Sequence, residues 1–148
     1  MTKLIAKNPT AYHNYFIDDT LEAGIVLTGT EIKSIRNGKV NLKDTYVNIK
    51  DYEAFIFGMH ISPYEFGNIN NKDPLRTRKL LLNKREINKL YNLIKQKGVS
   101  IVPIELYFNG NKVKLKLGIG KGKKLYDKRQ DIAKKDAEMK INRALKNR

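Results

Sequence analysis

The sequence predicts a mainly β fold with helices (α+β): a small antiparallel barrel with two to three helices and a basic C-terminal tail. Three observations predict it. Six or so short β-rich runs are separated by turn residues, and one pair flanks Asn109-Gly110, the strongest short-range hairpin signal in the chain. Two segments carry an N-terminal capping signature ahead of apolar residues at helical spacing. The last 28 residues hold 11 Lys or Arg against four Asp or Glu, with almost nothing large and apolar to fill a core. Short strands with few helices bury their apolar faces most simply in an OB-like barrel, where closure protects the edges and a helix covers one end. No repeat of fixed period is present, which excludes solenoids. Two parts follow: an OB-like domain over 1–120, long enough for one core, and a tail over 121–148.

The elements are expected in this order. Tyr12 to Thr20 has a Tyr-Phe-Ile cluster of strand propensity, and Gly24 to Leu27 is an apolar run, so two short strands are read here. Thr28-Gly-Thr-Glu31 has the spacing of a capping box, and Asn37-Gly38 supplies a stop for a helix of two to three turns. YVNI and AFIFGMHI, joined by Lys50-Asp51-Tyr52-Glu53, form a hairpin. Ser62 to Pro74 is a loop, rich in Asn with Pro and Gly. Asn83-x-x-Glu86 caps a helix carrying Ile87, Leu90, Tyr91 and Ile94 that Gly98 ends. Ile101–Phe108 and Lys112–Ile119 complete the pattern, with Val113, Leu115, Leu117 and Ile119 facing inward and Lys112, Lys114 and Lys116 outward.

Thirty basic residues against 15 acidic give a net charge of +15, which favours nucleic acid or, less often, an acidic membrane surface. Lys-rich codon bias would raise Glu as well, and it does not account for the imbalance. The absence of cysteine excludes disulfides and thiolate metal sites and fits a reducing compartment. The N-terminal residues lack a signal-like apolar run, and no stretch approaches the roughly 20 apolar residues of a membrane span. The expectation is a cytoplasmic protein, monomeric when free, with no cofactor, no metal and no membrane partner.

Catalysis finds little support. The histidines are His13 and His60, and HExxH, GxSxG and paired carboxylates in a recognisable frame are missing. His60 lies in an apolar run and reads as a core or rim residue; His13 sits beside aromatics, where RNA contact and a structural role are equally open. Gly118-Ile-Gly120-Lys-Gly122-Lys-Lys124 fails the Walker pattern because position 123 is Lys, so these glycines are expected to loosen the chain where the tail leaves the domain. Three basic patches are candidates for RNA contact: Lys33 and Arg36; Arg76, Arg78 and Lys79; and Lys112, Lys114 and Lys116. With no helix-turn-helix, zinc finger or RNP aromatic pair, recognition of structured RNA by shape fits better than groove readout. In the tail, Ala133, Ala137, Ile141 and Leu145 recur every four residues, a stripe too thin to hold a helix without a partner.

EAGIVLTGTEIKSIRNGKVNLKDTYV, MHISPYE, DPLRTRKLLLNKREI and GKGKKLYDKR, between Glu22 and Arg129, closely resemble the SmpB family of SsrA-binding proteins of bacterial trans-translation. The resemblance covers essentially the whole chain. It implies an OB-like barrel that binds the tRNA-like domain of tmRNA and carries it to stalled ribosomes, an adaptor with no enzymatic step. It implies RNA contacts at Asn8, Tyr15, Glu22, Leu81 and Lys114. It also implies that Gly122, Lys123, Lys124, Tyr126, Asp127, Lys128 and Arg129 read the decoding centre of the small ribosomal subunit, with the remaining tail helical in the vacant mRNA channel. Two departures stand out: Pro9 and Thr10 follow Asn8 where relatives often carry basic residues, and Tyr126 keeps a ring where His is common. The alternatives are a generic OB-fold RNA-binding or ribosome-associated protein and an enzyme with an unrecognised nucleotide site.

Overall fold

A computed structural model of the chain describes residues 2–66 and 71–123. Within them β1 (Thr2–Lys7) leads through the short helix α1 (Ala11–Asn14) into β2 (Tyr15–Ile25), then α2 (Gly29–Arg36) and β3 (Val40–Asn41). The hairpin β4 (Tyr46–Lys50) and β5 (Glu53–Phe57) follows, then β6 (His60–Ile61), β7 (Arg78–Leu81) and α3 (Lys84–Lys97). The long hairpin β8 (Ser100–Asn109) and β9 (Lys112–Gly122) ends the described chain.

One antiparallel sheet runs β1-β8-β4-β5-β7-β2-β9, and β9 also pairs with β8, so the sheet curls back on itself; β3 and β6 form a separate ribbon. The mainly β architecture with helices is as expected. Closure is partial, because β4 and β8 meet at a single rung, Val47↔Ile101. Inside lie Ile56, Leu80, Leu106, Leu115 and Leu117, with Ile35 of α2 and Leu90 of α3 contributing from the helices, all at most 1% exposed. Each such side chain contributes about 1.5–3 kcal/mol by leaving water.

Both capping boxes form. Thr28 Oγ1 accepts from Glu31 N and Glu31 Oε1 from Thr28 N, and Asn83 and Glu86 do the same for α3. Several expectations need correction. The two strands read between Tyr12 and Leu27 are one, since β2 pairs with β9 from Tyr15↔Gly122 to Gly24↔Lys114, and a bulge at Asp18 absorbs the broken alternation. Tyr12 to Asn14, expected to be extended, belong to the helix Ala11–Asn14. Strand β1 had no clear alternation because it adds only to the rim of β8. The last hairpin turns at Gly110-Asn111, one residue later than Asn109-Gly110, because Gly110 at φ 62 takes the first central position, where glycine is favoured in a type II′ turn.

The glycines of β9 do not loosen the chain. A Cβ on Gly120 would lie 1.9 Å from Phe16 O, and one on Gly118 would meet Ile104 Cδ1 at 2.8 Å and Ile17 Cδ1 at 2.9 Å. They let β2 approach closely and let a small outer cluster of Ala11, Val102 and Ile104 close over the strand. At the β4–β5 turn, Asp51 (φ 52) and Tyr52 (φ 60) both hold left-handed backbone. The type I′ turn demands that, yet a bulky residue there costs about 1–3 kcal/mol relative to glycine.

Candidate nucleic-acid interface

The outward side chains of β1, β8, β9, β2 and β7 line up across the sheet by register. One row runs Leu4, Tyr107, Lys114, Gly24, Leu81, and the next Lys7, Glu105, Lys116, Glu22. Leu81 is 56% exposed and lies over Gly24, where a Cβ would come within 3.1 Å of its own Cβ. Lys112 and Lys114 line a shallow cleft with Leu81, Leu27 and Ile32. Glu22, Leu81, Lys112, Lys114 and Lys116 therefore share one face.

Glu22 does not sit there loosely. The Tyr107 hydroxyl reaches across β9 and donates to Glu22 Oε2. Partial burial, and then the Glu22 carboxylate, push the Tyr107 phenol up to about 12, so it remains a donor at neutral pH. Among the described residues no hydrogen bond or ion pair takes Glu22 Oε1, and the register sets Glu22 opposite Lys116. Sequence reasoning missed Tyr107. Its signal was the alternation of Glu105 and Tyr107 with Ile104, Leu106 and Phe108, obscured because a turn at Asn109-Gly110 would have set Tyr107 opposite Lys112.

The other expected residues distribute unevenly. Arg36 stands 5.7 Å from the Phe108 ring centroid and lines a cavity with Lys3, Leu4 and Asn111; since Asn111 also borders the Lys112 cleft, Arg36 continues the lysine face around the hairpin tip. Lys33 instead lies over Tyr64, at 5.3 Å. Lys79 shares the outer face of β7 with Leu81 but pairs with Glu53 at 3.1 Å.

Arg78 is a correction. Its side chain is fully buried, its Nε donates to Glu31 Oε2 at 2.6 Å, and its terminal nitrogens donate to the carbonyls of Met59, Arg76 and Pro74. No surface remains for a phosphate. Arg76 Nη2 donates to Glu31 Oε1 at 2.5 Å and is partly exposed, so it too belongs first to this network. Burial by itself would raise the Glu31 carboxyl, but hydrogen bonds from Arg76, Thr28 N and Arg78 outweigh it and hold Glu31 below the usual carboxylate range. The arginines thus fasten α2 to the strand-loop junction. Arg76, Arg78 and Lys79 look alike in sequence, but only one of two strand faces meets solvent, and Arg78 points inward to a buried acid.

Asn8 is likewise structural, being 9% exposed, with Nδ2 donating to Pro103 O at 3.0 Å and Oδ1 accepting from Thr10 N and Oγ1. It anchors the turn between β1 and α1 to β8. Tyr15 is half-buried against the outer cluster, opposite Gly122. Lys123 Nζ donates to Tyr12 O at 2.8 Å and sits 5.0 Å from the Phe16 ring centroid. Six residues of rise along β9 separate Lys116, opposite Glu22, from Gly122, so this end stands roughly 20 Å from Glu22. Lys124, Tyr126, Asp127, Lys128 and Arg129, and the expected tail helix, lie outside the described residues. His60 is half-buried beside Asn41, and His13 is exposed. Among the described residues no group of three or more His, Cys, Asp or Glu is placed to hold a metal, and no helix is long and apolar enough to cross a membrane.

Comparison with known proteins adds a second line of observation. A family model described as SmpB protein matches residues 5–147. The chain is 65% identical over 144 residues to an SsrA-binding protein of Acetivibrio thermocellus, covering 97% of this chain and 94% of that one. It is 58% identical over 147 residues to an SsrA-binding protein of Alkaliphilus oremlandii, covering 99% and 95%. Among solved structures it is similar to a chain from "tmRNA-SmpB: a journey to the center of the bacterial ribosome", with a TM-score of 0.67 and 43% identity over 79% of this chain and 82% of that chain.

Proposed function

The chain belongs to the SmpB family, and on that premise we propose that it is a tmRNA-binding adaptor of trans-translation, which binds the tRNA-like domain of tmRNA and delivers it to stalled ribosomes. One observation carries the assignment of the binding face: Glu22, held by Tyr107, stands among Lys112, Lys114 and Lys116 beside exposed Leu81. Lysines there neutralise backbone phosphates and set orientation. A carboxylate repels phosphate, so the RNA must turn a donor toward Glu22, such as an exocyclic base amino group or a ribose hydroxyl. Leu81 adds apolar contact with an unstacked base or a sugar. A surface that offers only phosphates meets repulsion at Glu22, so the face takes RNA that presents a base or sugar donor there.

The chain from 121 onward is read as the ribosome-facing part. Gly122 to Arg129 acts in the decoding centre of the small subunit, and the rest of the tail becomes helical in the empty mRNA channel, where RNA walls supply the counter-charge that its own sequence lacks. The protein works as an adaptor in the cytoplasm, monomeric when free, with no metal, cofactor or catalytic step of its own. Electrophoretic mobility shift with the tRNA-like domain, set against ordinary tRNA and duplex RNA, tests the reading. Tight binding to the first alone is expected; equal affinity for all three would overturn it and favour a generic RNA-binding barrel.

A further inference from the structure

The face of α3 turned toward the β4–β5 hairpin is unaccounted for by the Glu22 surface. Lys84, Ile87, Asn88, Tyr91 and Lys95 fall at helical spacing along one side, and the hairpin tip lays Tyr52 over the middle of that stripe. The Tyr52 and Tyr91 ring centroids are 6.4 Å apart, Lys95 Nζ stands 4.9 Å from the Tyr91 centroid, and a cleft of about 350 Å³ opens between Tyr52, Lys84, Ile87 and Asn88. Ile87 forms an apolar floor, being 8% exposed, whereas Tyr52 is 73% exposed. Among the described residues no hydrogen bond or ion pair engages the side chains of Lys84 or Asn88. Tyr52 also holds φ 60 at a turn position that Gly suits best, so the fold accepts backbone strain to keep an exposed ring there.

We propose that this cleft is a second RNA site, which takes one unpaired nucleotide with its base stacked on Tyr52 and Tyr91 and its two flanking phosphates met separately, one by Lys84 and the other by Lys95. Aromatic rings flanked by cations are how single-stranded nucleic acid is bound without sequence preference, because every base has a π-face and every nucleotide a charge. Asn88 at the rim supplies both a donor and an acceptor for a base edge. An acidic peptide would use the lysines but leave the ring pair and the apolar floor idle. The cleft adjoins the Leu81 end of the Glu22 face, since Lys84 follows Leu81 by three residues, and the inference borrows from the proposed function only that RNA is the partner.

The test uses the full chain and a short oligouridine carrying 5-iodouridine, with photo-crosslinks mapped by mass spectrometry and affinity measured by fluorescence anisotropy. Two variants keep it independent of folding: Tyr52→Gly relieves the left-handed strain, and Lys84→Glu places an acid in the first turn of α3, where the helix dipole favours it. Crosslinks at Tyr52 or Tyr91 are expected, with each variant at least as heat-stable as the parent and weaker for the oligonucleotide by on the order of tenfold. Affinity for the tRNA-like domain is measured alongside, and Tyr52→Gly, which changes no charge, is expected to leave it within about twofold of the parent. Crosslinks confined to other residues, or a Tyr52→Gly protein that binds the oligonucleotide like the parent, would overturn the proposal. Crosslinks at Tyr52 or Tyr91 in a protein that fails to bind the tRNA-like domain would uphold it and count against the proposed function alone.

Discussion

Replacing Glu31 by Gln tests whether the buried ion network is a fastening. Gln at that position can still complete the capping box through its one oxygen, so the change removes the charge and turns an amide NH2 toward the Arg78 Nε–H. Glu31 is 5% and Arg78 0% exposed, and losing one partner of so buried a pair leaves the other's charge uncompensated, at about 3–5 kcal/mol. Arg76, 30% exposed, adds at most about 1 kcal/mol. Against a total stability of about 5–15 kcal/mol this is a large fraction. With a urea slope of about 1–3 kcal/mol per M, the unfolding midpoint should fall by about 1 M or more at unchanged slope. The pH dependence has a definite sign. The folded-state pKa of Glu31 lies below its unfolded value, so its contribution is fully present above the ordinary carboxylate range and is lost as pH falls through the folded value. Glu31→Gln should flatten that acid limb. Arg78→Met should be costly alone, and the double variant should lose clearly less than the sum of the two. Loss below about 1 kcal/mol for Glu31→Gln, or strict additivity, would refute the reasoning.

Lys114→Ala should weaken tRNA-like-domain binding and lower the salt slope by about one, whereas Arg78→Met in folded protein should leave that slope unchanged; equal slopes for the parent and Lys114→Ala would remove Lys114 from the interface. Truncation after Lys121 should leave binding of the tRNA-like domain largely intact and abolish peptide tagging on stalled ribosomes in a reconstituted system, and tagging by the truncated protein would remove the tail's assigned role. In an ultraviolet titration one tyrosine should ionise near pH 12, and Glu22→Gln should move it down toward the ordinary value. Because that phenol is raised in the folded state, its contribution is present below the ordinary tyrosine value and lost as pH rises through about 12.

Local chemistry wrote most of this fold visibly. The two capping boxes and the β9 alternation each rest on residues within a few positions of one another, and each appears in the structure as read. What escaped depends on partners far away in sequence. Strand β1 is extended only because β8 offers it an edge, and Tyr15–Ile25 is continuous only because β9 runs beside it. The burial of Arg78 needs Glu31, 47 residues earlier. The hairpin register illustrates the middle case: moving the turn from Asn109-Gly110 to Gly110-Asn111 shifts each pairing by two residues, which preserves every inward and outward assignment yet changes who faces whom. The lysine face was therefore legible, while its Tyr107 clamp was not.

Strand β9 has a consequence of a different kind. It is hydrogen-bonded along nearly its whole length by β2 on one side and β8 on the other, and Gly118 and Gly120 let that backing stay tight as far as Gly122. A strand so braced cannot stretch or bend, so it works as a ruler: one end carries Lys114 and the other fixes where the chain beyond Gly122 sets out. Residues added at the hairpin tip fall beyond Lys112 and would leave the span from Lys114 to Gly122 unchanged. Geometry across the molecule is thereby set by counting residues along a single strand.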